Sequence, residues 1–231
     1  MDPKRLAGFF KRARTLGAVL TLCWSFFLWG CLDLDSLRHP SKPIEYYSID
    51  SPCPARLVEE PLSGVLRIKP LAVIDPFATD RILYEDSRHS LRPSYYDRWI
   101  ANPASLVTAV LARDLSESGI FPAVLRTRGI LEPDWEMTGT LESIKAAKRD
   151  GRWETEVTLH VLLYPWPAGG AEAVDPGKIF QKRYTVRTPC KDDRALSVVE
   201  SISAGVQRLS EEMLRDIAKH VKTAASDPEP P

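Results

Sequence analysis

The sequence predicts an α+β fold, a two-layer sandwich in which an antiparallel or mixed sheet carries two helices on one face, with the long helix C-terminal. Several stretches alternate apolar and polar residues, as half-buried strands do. Two other stretches repeat apolar residues every three or four positions, as amphipathic helices do. The chain has 231 residues, 44% of them hydrophobic, which is enough to bury one core and leave tails.

Four short strands are expected in the first part of the chain. One of them, VLRIKPLAVI, alternates apolar and basic residues and is interrupted at Pro70, because proline cannot donate a hydrogen bond to a neighbouring strand. The others are brief apolar runs bounded by turn residues. The four stretches are residues 44–49, 65–74, 81–85 and 121–125.

Three longer strands follow, at residues 135–146, 155–164 and 179–187. Each places apolar side chains on one face and polar ones on the other. Asp150 and Gly151 lie between the first two, and this dipeptide is a strong signal for a two-residue hairpin turn. We therefore expect the three strands to form an antiparallel meander.

The first helix is predicted to start at Asn102 and Pro103 and to stop at Gly119, because asparagine caps helices, proline suits the first turn and glycine ends it. The second helix is predicted over about residues 193–221. Its apolar residues form one stripe, which packing on the sheet explains best, although a coiled coil or a partner helix would also use it. The stripe comprises Ala195, Val199, Ile202, Val206, Leu209, Met213 and Ile217.

Residues 1–30 have the pattern of an export signal. Five basic residues precede an apolar stretch at residues 15–30, which is short for a permanent membrane span. The sequence Leu28 to Cys31, LWGC, resembles the bacterial lipobox, although Trp29 stands where a small residue is usual. The resemblance implies cleavage before Cys31 and attachment of diacylglyceryl and acyl groups, such as palmitate, to that cysteine. The alternative is an ordinary cysteine behind an uncleaved anchor.

The remaining chain divides into three parts. Residues 31–61 contain scattered prolines and one short strand, which suits a tether between a lipid anchor and a domain. Residues 62–221 hold the predicted α+β domain. Residues 222–231 are polar and proline-rich, and a disordered tail is expected there.

Two cysteines, Cys53 and Cys190, lie outside the leader and the lipidation site. In an oxidising compartment they could form a disulfide, and the alternative is two unpaired buried thiols. The sequence has no CxxC pair and no cysteine–histidine cluster, so a zinc site is not expected.

The composition argues against nucleic-acid binding and simple catalysis. Acidic and basic residues balance at 31 each, but five of the basic ones lie in the leader, so the rest of the chain is mildly acidic. A nucleic-acid-binding face would need clustered cations. The sequence lacks GxSxG, P-loop, GxGxxG and HExxH motifs, and none of its four histidines has an evident catalytic partner. We expect a protein that is not an enzyme, with no catalytic residues, no cofactor and no metal.

The stretch RHSLRPSYYDRW, residues 88–99, mixes tyrosine and tryptophan with arginine. This mixture is typical of protein interfaces, because these side chains supply contact area and forked hydrogen bonds. Tyr96 and Trp99 could instead cover the core at the start of the first helix, and both roles can hold together.

The chain resembles the ABC-type transport auxiliary lipoproteins. The resemblance rests on the lipobox, the YYSID stretch at residues 46–50, residues 80–115 and the terminal long helix. The family places an arginine-apolar-apolar-tyrosine strand before an aromatic-x-x-tryptophan pattern that leads to the first helix. The residues that carry this pattern or adjoin it, and that we expect to bind a partner, are Arg81, Tyr84, Tyr95, Tyr96, Arg98 and Trp99.

The resemblance implies a non-catalytic auxiliary subunit of an intermembrane lipid transport system. Expected partners are a mammalian-cell-entry-domain protein and ABC transporter subunits, with a homo-oligomer as a further option. Leu32, which follows the lipidated cysteine, favours the outer membrane, with the domain facing the periplasm. The alternatives are a lipoprotein chaperone for an outer-membrane assembly machine and an envelope hydrolase.

Overall fold

The structure is a computed structural model that describes residues 42–58, 61, 64–87, 89–127, 131–166 and 179–226. Within it, the described residues from Ile44 onward form one compact unit, and Lys42 and Pro43 do not belong to it. The expected signal peptide, the lipidation site and the last residues of the tail lie outside the described residues.

The structure confirms the α+β fold, with a mixed nine-stranded sheet and two helices in the described part of the chain, the long helix being C-terminal. The strands are β1 (Glu45–Tyr47), β2 (Leu66–Ile68), β3 (Ala72–Val73), β4 (Arg81–Ser87), β5 (Ser90–Trp99), β6 (Val124–Leu125), β7 (Trp135–Arg149), β8 (Arg152–Pro165) and β9 (Phe180–Pro189). The helices are α1 (Pro103–Glu117) and α2 (Ala195–Ser226).

The central strand is β7, which has different neighbours on its two edges. Along one edge it pairs antiparallel with β8 over nearly its whole length, and β8 pairs antiparallel with β9. Along the other edge it pairs in parallel with β2, then β3, then β4. The expected meander of β7, β8 and β9 is therefore confirmed. The strands β2, β3 and β4, which precede it in sequence, pair with the edge of β7 that faces away from β8.

The turn between β7 and β8 has the geometry that its sequence predicts. Asp150 and Gly151 both have positive φ, at 50° and 78°. A two-residue turn of this kind matches the right-handed twist of the flanking strands, and aspartate and glycine tolerate the conformation. The turn fixes the register of the long hairpin.

The strand β5 was not expected from the sequence, which suggested only an interface or the approach to α1. β5 contains Pro93 and many polar residues, which hide its alternation. It pairs antiparallel with β4, and β1 adds to its other edge in parallel. β1 therefore belongs to the same sheet as the later strands, and the compact unit begins at Ile44.

Both helices form where the sequence predicts them, but α2 continues past Val221 to Ser226, so residues 222–226 of the expected disordered tail are helical. The side chain of Asn102 accepts a hydrogen bond from the Ala104 N–H (2.9 Å), which caps α1. In α2 the whole apolar stripe from Ala195 to Ile217 is buried in the core, together with Val198 and Leu214. The stripe therefore packs on the sheet.

Gly139 in β7 leads to a stability prediction. A Cβ atom added there would lie 2.5 Å from the backbone oxygen of His160 and 2.9 Å from Leu71 Cδ2. Because the backbone of β8 cannot move without disturbing the hairpin, Gly139→Ala should lower the free energy of unfolding by at least about 1–3 kcal/mol. Urea denaturation measures this loss. Thr140→Ala, one position along the same strand, should change stability by less than about 1 kcal/mol, and equal effects of the two substitutions would contradict the prediction.

Candidate functional site

Five of the six residues expected to bind a partner lie where β4 begins and β5 ends, and Tyr84 lies further along β4, opposite Arg92. Arg81 and Arg98 are register partners across the two strands. Trp99 is 2% exposed and Tyr84 is 4% exposed, so both belong to the core. The remaining residues of the set, Arg81, Tyr95, Tyr96 and Arg98, are partly or fully accessible.

A bulge in β5 presents the two tyrosines. Between the register pairs Arg81–Arg98 and Leu83–Pro93, β5 has three more residues than β4. Ser94 Oγ closes the bulge by donating to Asp97 Oδ2 (2.8 Å) and accepting from the Asp97 N–H (3.1 Å). Bulges of this type bend a strand and redirect its side chains.

Tyr95 projects from this bulge and is 61% exposed. Its ring packs edge-on against Tyr96, with the ring centroids 4.9 Å apart. The guanidinium of Arg81 lies 5.8 Å from the Tyr95 ring centroid, within range of a cation–π contact. Two neighbours therefore orient a side chain that is otherwise in solvent.

The edge strand β1 extends this surface. Tyr46 is 57% exposed and is the register partner of Arg98. Ile44 and Ile100 at the ends of the pairing are also exposed. We name the four exposed residues Ile44, Tyr46, Tyr95 and Ile100 the tyrosine edge. Tyr46 and the two isoleucines were missed by sequence reasoning, since only the pairing of β1 with β5 places them beside Tyr95.

The two buried aromatic residues of the set, Trp99 and Tyr84, lie in the strands that carry this surface. The backbone N–H of Trp99 donates to the Asp80 carbonyl (2.6 Å), and Arg98 Nη1 lies 3.2 Å from the Asp80 carboxylate. The Tyr84 ring meets Trp153 edge-on at 5.9 Å. Burial raises the pKa of Tyr84 to about 12, so it stays neutral at physiological pH.

Glu136 forms a buried ionic cluster on the sheet face that points away from the helices. Its carboxylate is fully buried and accepts hydrogen bonds from Arg67 Nε (2.7 Å), from Arg67 Nη2 (2.5 Å) and from the Tyr164 hydroxyl. Both Arg67 contacts are with Glu136 Oε2, and Lys69 Nζ lies 2.5 Å from Oε1, which also accepts from Tyr164. The Arg67 guanidinium stacks 4.2 Å over the Trp166 ring. Burial raises the pKa of Glu136, but the hydrogen bonds from Lys69, Tyr164 and Arg67 outweigh it and lower that pKa below its ordinary value.

A second charged network crosses the same face near the β7–β8 turn. Glu156 accepts from Arg187 Nε (2.9 Å), and Lys145 Nζ lies 3.6 Å from it. Burial alone would raise the pKa of Glu156, but the contacts with Arg187, Lys145 and Arg149 have the larger effect. The pKa of Glu156 is therefore below its ordinary value. Lys145 also pairs with Glu85, so the network joins β4, β7, β8 and β9.

Cys53 and Cys190 are free thiols in the structure, the first exposed and the second half-buried. The backbone N–H of Asp50 donates to Ser203 Oγ (3.2 Å), whereas the carbonyl preceding Cys190 accepts from Ser201 Oγ (3.0 Å). Ser201 and Ser203 are two positions apart on α2, about 200° around the helix. The segment that carries Cys53 therefore runs along a different side of α2 from Cys190. Burial raises the pKa of the Cys190 thiol.

Of the three histidines in the described residues, His160 and His220 have structural surroundings, and His89 is exposed in the turn between β4 and β5. His160 Nε2 lies 2.8 Å from the Gln181 amide on the polar face of the sheet. His220 packs against Phe180 and Trp135. Across the described ranges, no group of three or more His, Cys, Asp or Glu side chains is placed to hold a metal ion.

Neither α1 nor α2 is long and apolar enough to cross a lipid bilayer, and no other helix occurs in the described residues.

The comparisons with known proteins agree with this architecture. The family model of the ABC-type transport auxiliary lipoprotein component matches residues 47–214, so the chain belongs to that family. The matched range begins in β1 and ends within α2. No curated protein matches the sequence significantly.

Two solved structures share the fold. A protein from Xanthomonas campestris, assigned to a family of unknown function numbered 330, superposes with a TM-score of 0.69 at 12% identity, covering 79% of this chain and 99% of its own. A second structure, described as an uncharacterized protein, gives 0.57 at 16% identity, with coverage of 76% and 99%. At these identities the likeness shows the fold alone.

The Glu136 cluster leads to a pH prediction. Its folded-state pKa is lowered, so the ionised carboxylate contributes stability above the ordinary pKa of about 4.3, and the contribution is lost as pH falls through the folded value. Glu136→Gln should therefore cost about 1–3 kcal/mol of unfolding free energy at pH 7 and progressively less below pH about 4. Urea unfolding at several pH values measures the difference.

The exposed Glu200 on α2 provides the matched control. Glu200→Gln should change the unfolding free energy by less than about 0.5 kcal/mol at either pH. If Glu136→Gln is as stable as the wild-type protein at pH 7, the cluster does not stabilise the fold.

Proposed function

We propose that this auxiliary lipoprotein is anchored through Cys31 in the outer membrane, faces the periplasm, and binds a mammalian-cell-entry-domain protein of an intermembrane lipid transport system without performing catalysis itself. The observation that carries the proposal is the tyrosine edge. The residues on which the sequence resemblance rests, Arg81, Tyr84, Tyr96 and Trp99, lie in the paired strands β4 and β5 that carry this surface. Family membership supports association with an ABC transport system.

The composition of the surface suits a binding role. Tyrosine and arginine are enriched at protein interfaces, because they bury large areas and make directed hydrogen bonds. Tyr95 and Tyr46 are each more than half exposed, with Arg81 and Arg98 alongside. Tyr96 and Arg81 already orient the Tyr95 ring, so less conformational freedom is lost when a partner binds.

The position of β1 also favours docking. In the described part of the sheet β1 pairs only with β5, so its outer edge is available to a strand of another protein. Thirteen residues lie between Cys31 and Glu45, and the fourteen Cα–Cα steps across them span at most about 50 Å when the chain is extended. An acyl anchor with more than one chain is effectively permanent, so the membrane would fix the height of this surface within that reach.

Replacing Tyr95 tests the proposal. Tyr95→Ala should reduce capture of the mammalian-cell-entry-domain protein from detergent extracts by roughly tenfold or more, as expected for an interface tyrosine. The protein itself should stay in the membrane fraction with its thermal stability nearly unchanged, because this side chain is 61% exposed. Quantitative co-purification with the tagged lipoprotein measures the loss.

Two further variants separate the roles of the residues. Trp99→Ala should lower the free energy of unfolding by about 3–5 kcal/mol, because Trp99 is buried, and any loss of capture would follow from that. Cys31→Ser should release the protein from membranes while purified protein still binds the partner. Undiminished capture by Tyr95→Ala, or recovery of a large barrel protein in place of the transport protein, would contradict the proposal.

A further inference from the structure

Two arginines lie opposite each other beside the tyrosine edge, and we name Arg81 and Arg98 the arginine pair. They are directly opposite in the antiparallel ladder of β4 and β5, so both side chains leave the same face of the sheet. Cβ atoms in such pairs are about 5 Å apart, and like charges at this spacing repel each other. Tyr46 of β1 is the register partner of Arg98, so the row continues across three strands. The fold therefore holds two positive charges together next to an exposed tyrosine.

The charges of the arginine pair are only partly neutralised within the described residues. The Arg81 guanidinium makes no ion pair or hydrogen bond there, and it lies 5.8 Å from the Tyr95 ring centroid. Arg98 Nη1 lies 3.2 Å from the carboxylate of Asp80, whose side chain is 48% exposed. Arg98 Nε is buried and has no hydrogen-bond partner in the described part of the chain. The pair therefore keeps donors that a ligand can use.

The acidic residues of β1 and β5 do not compensate the pair, because they lie on the opposite face of the sheet. Glu45 and Asp97 are register partners of each other, and each directly precedes a member of the Tyr46–Arg98 pair. Successive side chains of a strand alternate between the two faces. Glu45 and Asp97 therefore share the face of the buried Trp99, not that of the arginines.

Arginines further along the sheet are arranged differently. Arg67 pairs with Glu136, and Arg187 pairs with Glu156. In both cases the protein supplies a carboxylate to the guanidinium, whose forked donors match the two oxygens of that group. The arginine pair has the same donors and a smaller share of carboxylate, so an acidic group from outside the chain would complete it.

We infer that the partner at the tyrosine edge places a carboxylate side chain, from an aspartate or a glutamate, between Arg81 and Arg98. This inference rests on the proposed function and names the chemistry that the partner presents. Tyr95 lies beside Arg81 and Tyr46 beside Arg98, so apolar residues next to the acid would pack on the two tyrosine rings. A membrane surface is a poorer match, because anionic lipids attract clusters of about four to eight basic residues.

Arg81→Gln tests the inference with the full-length lipoprotein in detergent. The variant should capture the mammalian-cell-entry-domain protein about tenfold less well, the effect of losing one charge-assisted contact. Its residual capture should depend less on salt concentration than that of the wild-type protein. Thermal stability should be nearly unchanged, because the substitution breaks no ion pair or hydrogen bond of the Arg81 guanidinium within the described ranges. Quantitative co-purification at several salt concentrations measures both effects.

Arg92 provides the matched control in the same pair of strands. Its guanidinium also lies over a tyrosine ring, 5.3 Å from the Tyr84 centroid, but it is paired with Asp86. Arg92→Gln should therefore leave capture unchanged. Full capture by Arg81→Gln, with capture lost in Tyr95→Ala, would overturn the inference and leave the proposed function standing. Equal losses in Arg81→Gln and Arg92→Gln would also overturn it, whereas full capture by Tyr95→Ala would contradict the proposed function itself.

A zero-length crosslink identifies the carboxylate. Arg81→Lys keeps the positive charge and adds an amine, which a carbodiimide joins to a contacting carboxylate as an amide, the reagent taking up the water that is lost. Mass spectrometry should find position 81 joined to an aspartate or glutamate of the mammalian-cell-entry-domain protein, and Arg92→Lys should give no such link. Equal links from both positions would overturn the inference. Binding of phosphatidylglycerol vesicles that is lost in Arg81→Gln, without a protein link from position 81, would also overturn it by assigning the pair to a lipid.

Discussion

The whole structure depends on the register of β7, because this strand supports the core on one face and the ionic clusters on the other. A register irregularity between Leu141 and Ser143 shifts the alternation of the strand by one residue. Before it, Met137 and Leu141 face the helices, and after it Ile144 and Ala146 do so. Without this bulge the second half of the strand would turn its polar residues into the core.

The polar face of the sheet follows from the same register. β7 turns Glu136, before the bulge, and Lys145, after it, away from the helices. On this face Arg67 of β2 pairs with Glu136, and Arg187 of β9 pairs with Glu156. Buried charges are stable only when they are paired and hydrogen-bonded. The clusters around Glu136 and Glu156 meet that condition, and they join strands that are far apart in sequence.

Sequence reasoning succeeded where a local signal determines a local structure. The Asn102–Pro103 pair specifies a helix start and the Asp150–Gly151 pair a hairpin, and both need only neighbouring residues. The strand β5 was missed because its proline and its bulge break the two-residue period, and only pairing with β4 reveals it. The exposure of Tyr46 could not be predicted for the same reason, since no local sequence pattern indicates which strand lies at the edge of a sheet.

The proposed function depends on contact between the bulge of β5, beside β1, and a transport partner. Site-specific photo-crosslinking in intact envelopes tests it most directly, with a photoreactive residue at Tyr95 and, for comparison, at Leu196, which is similarly exposed at the start of α2. The account predicts a crosslink to the mammalian-cell-entry-domain protein from position 95 and none from position 196. Crosslinks of equal yield from both positions, or from position 196 alone, would contradict it.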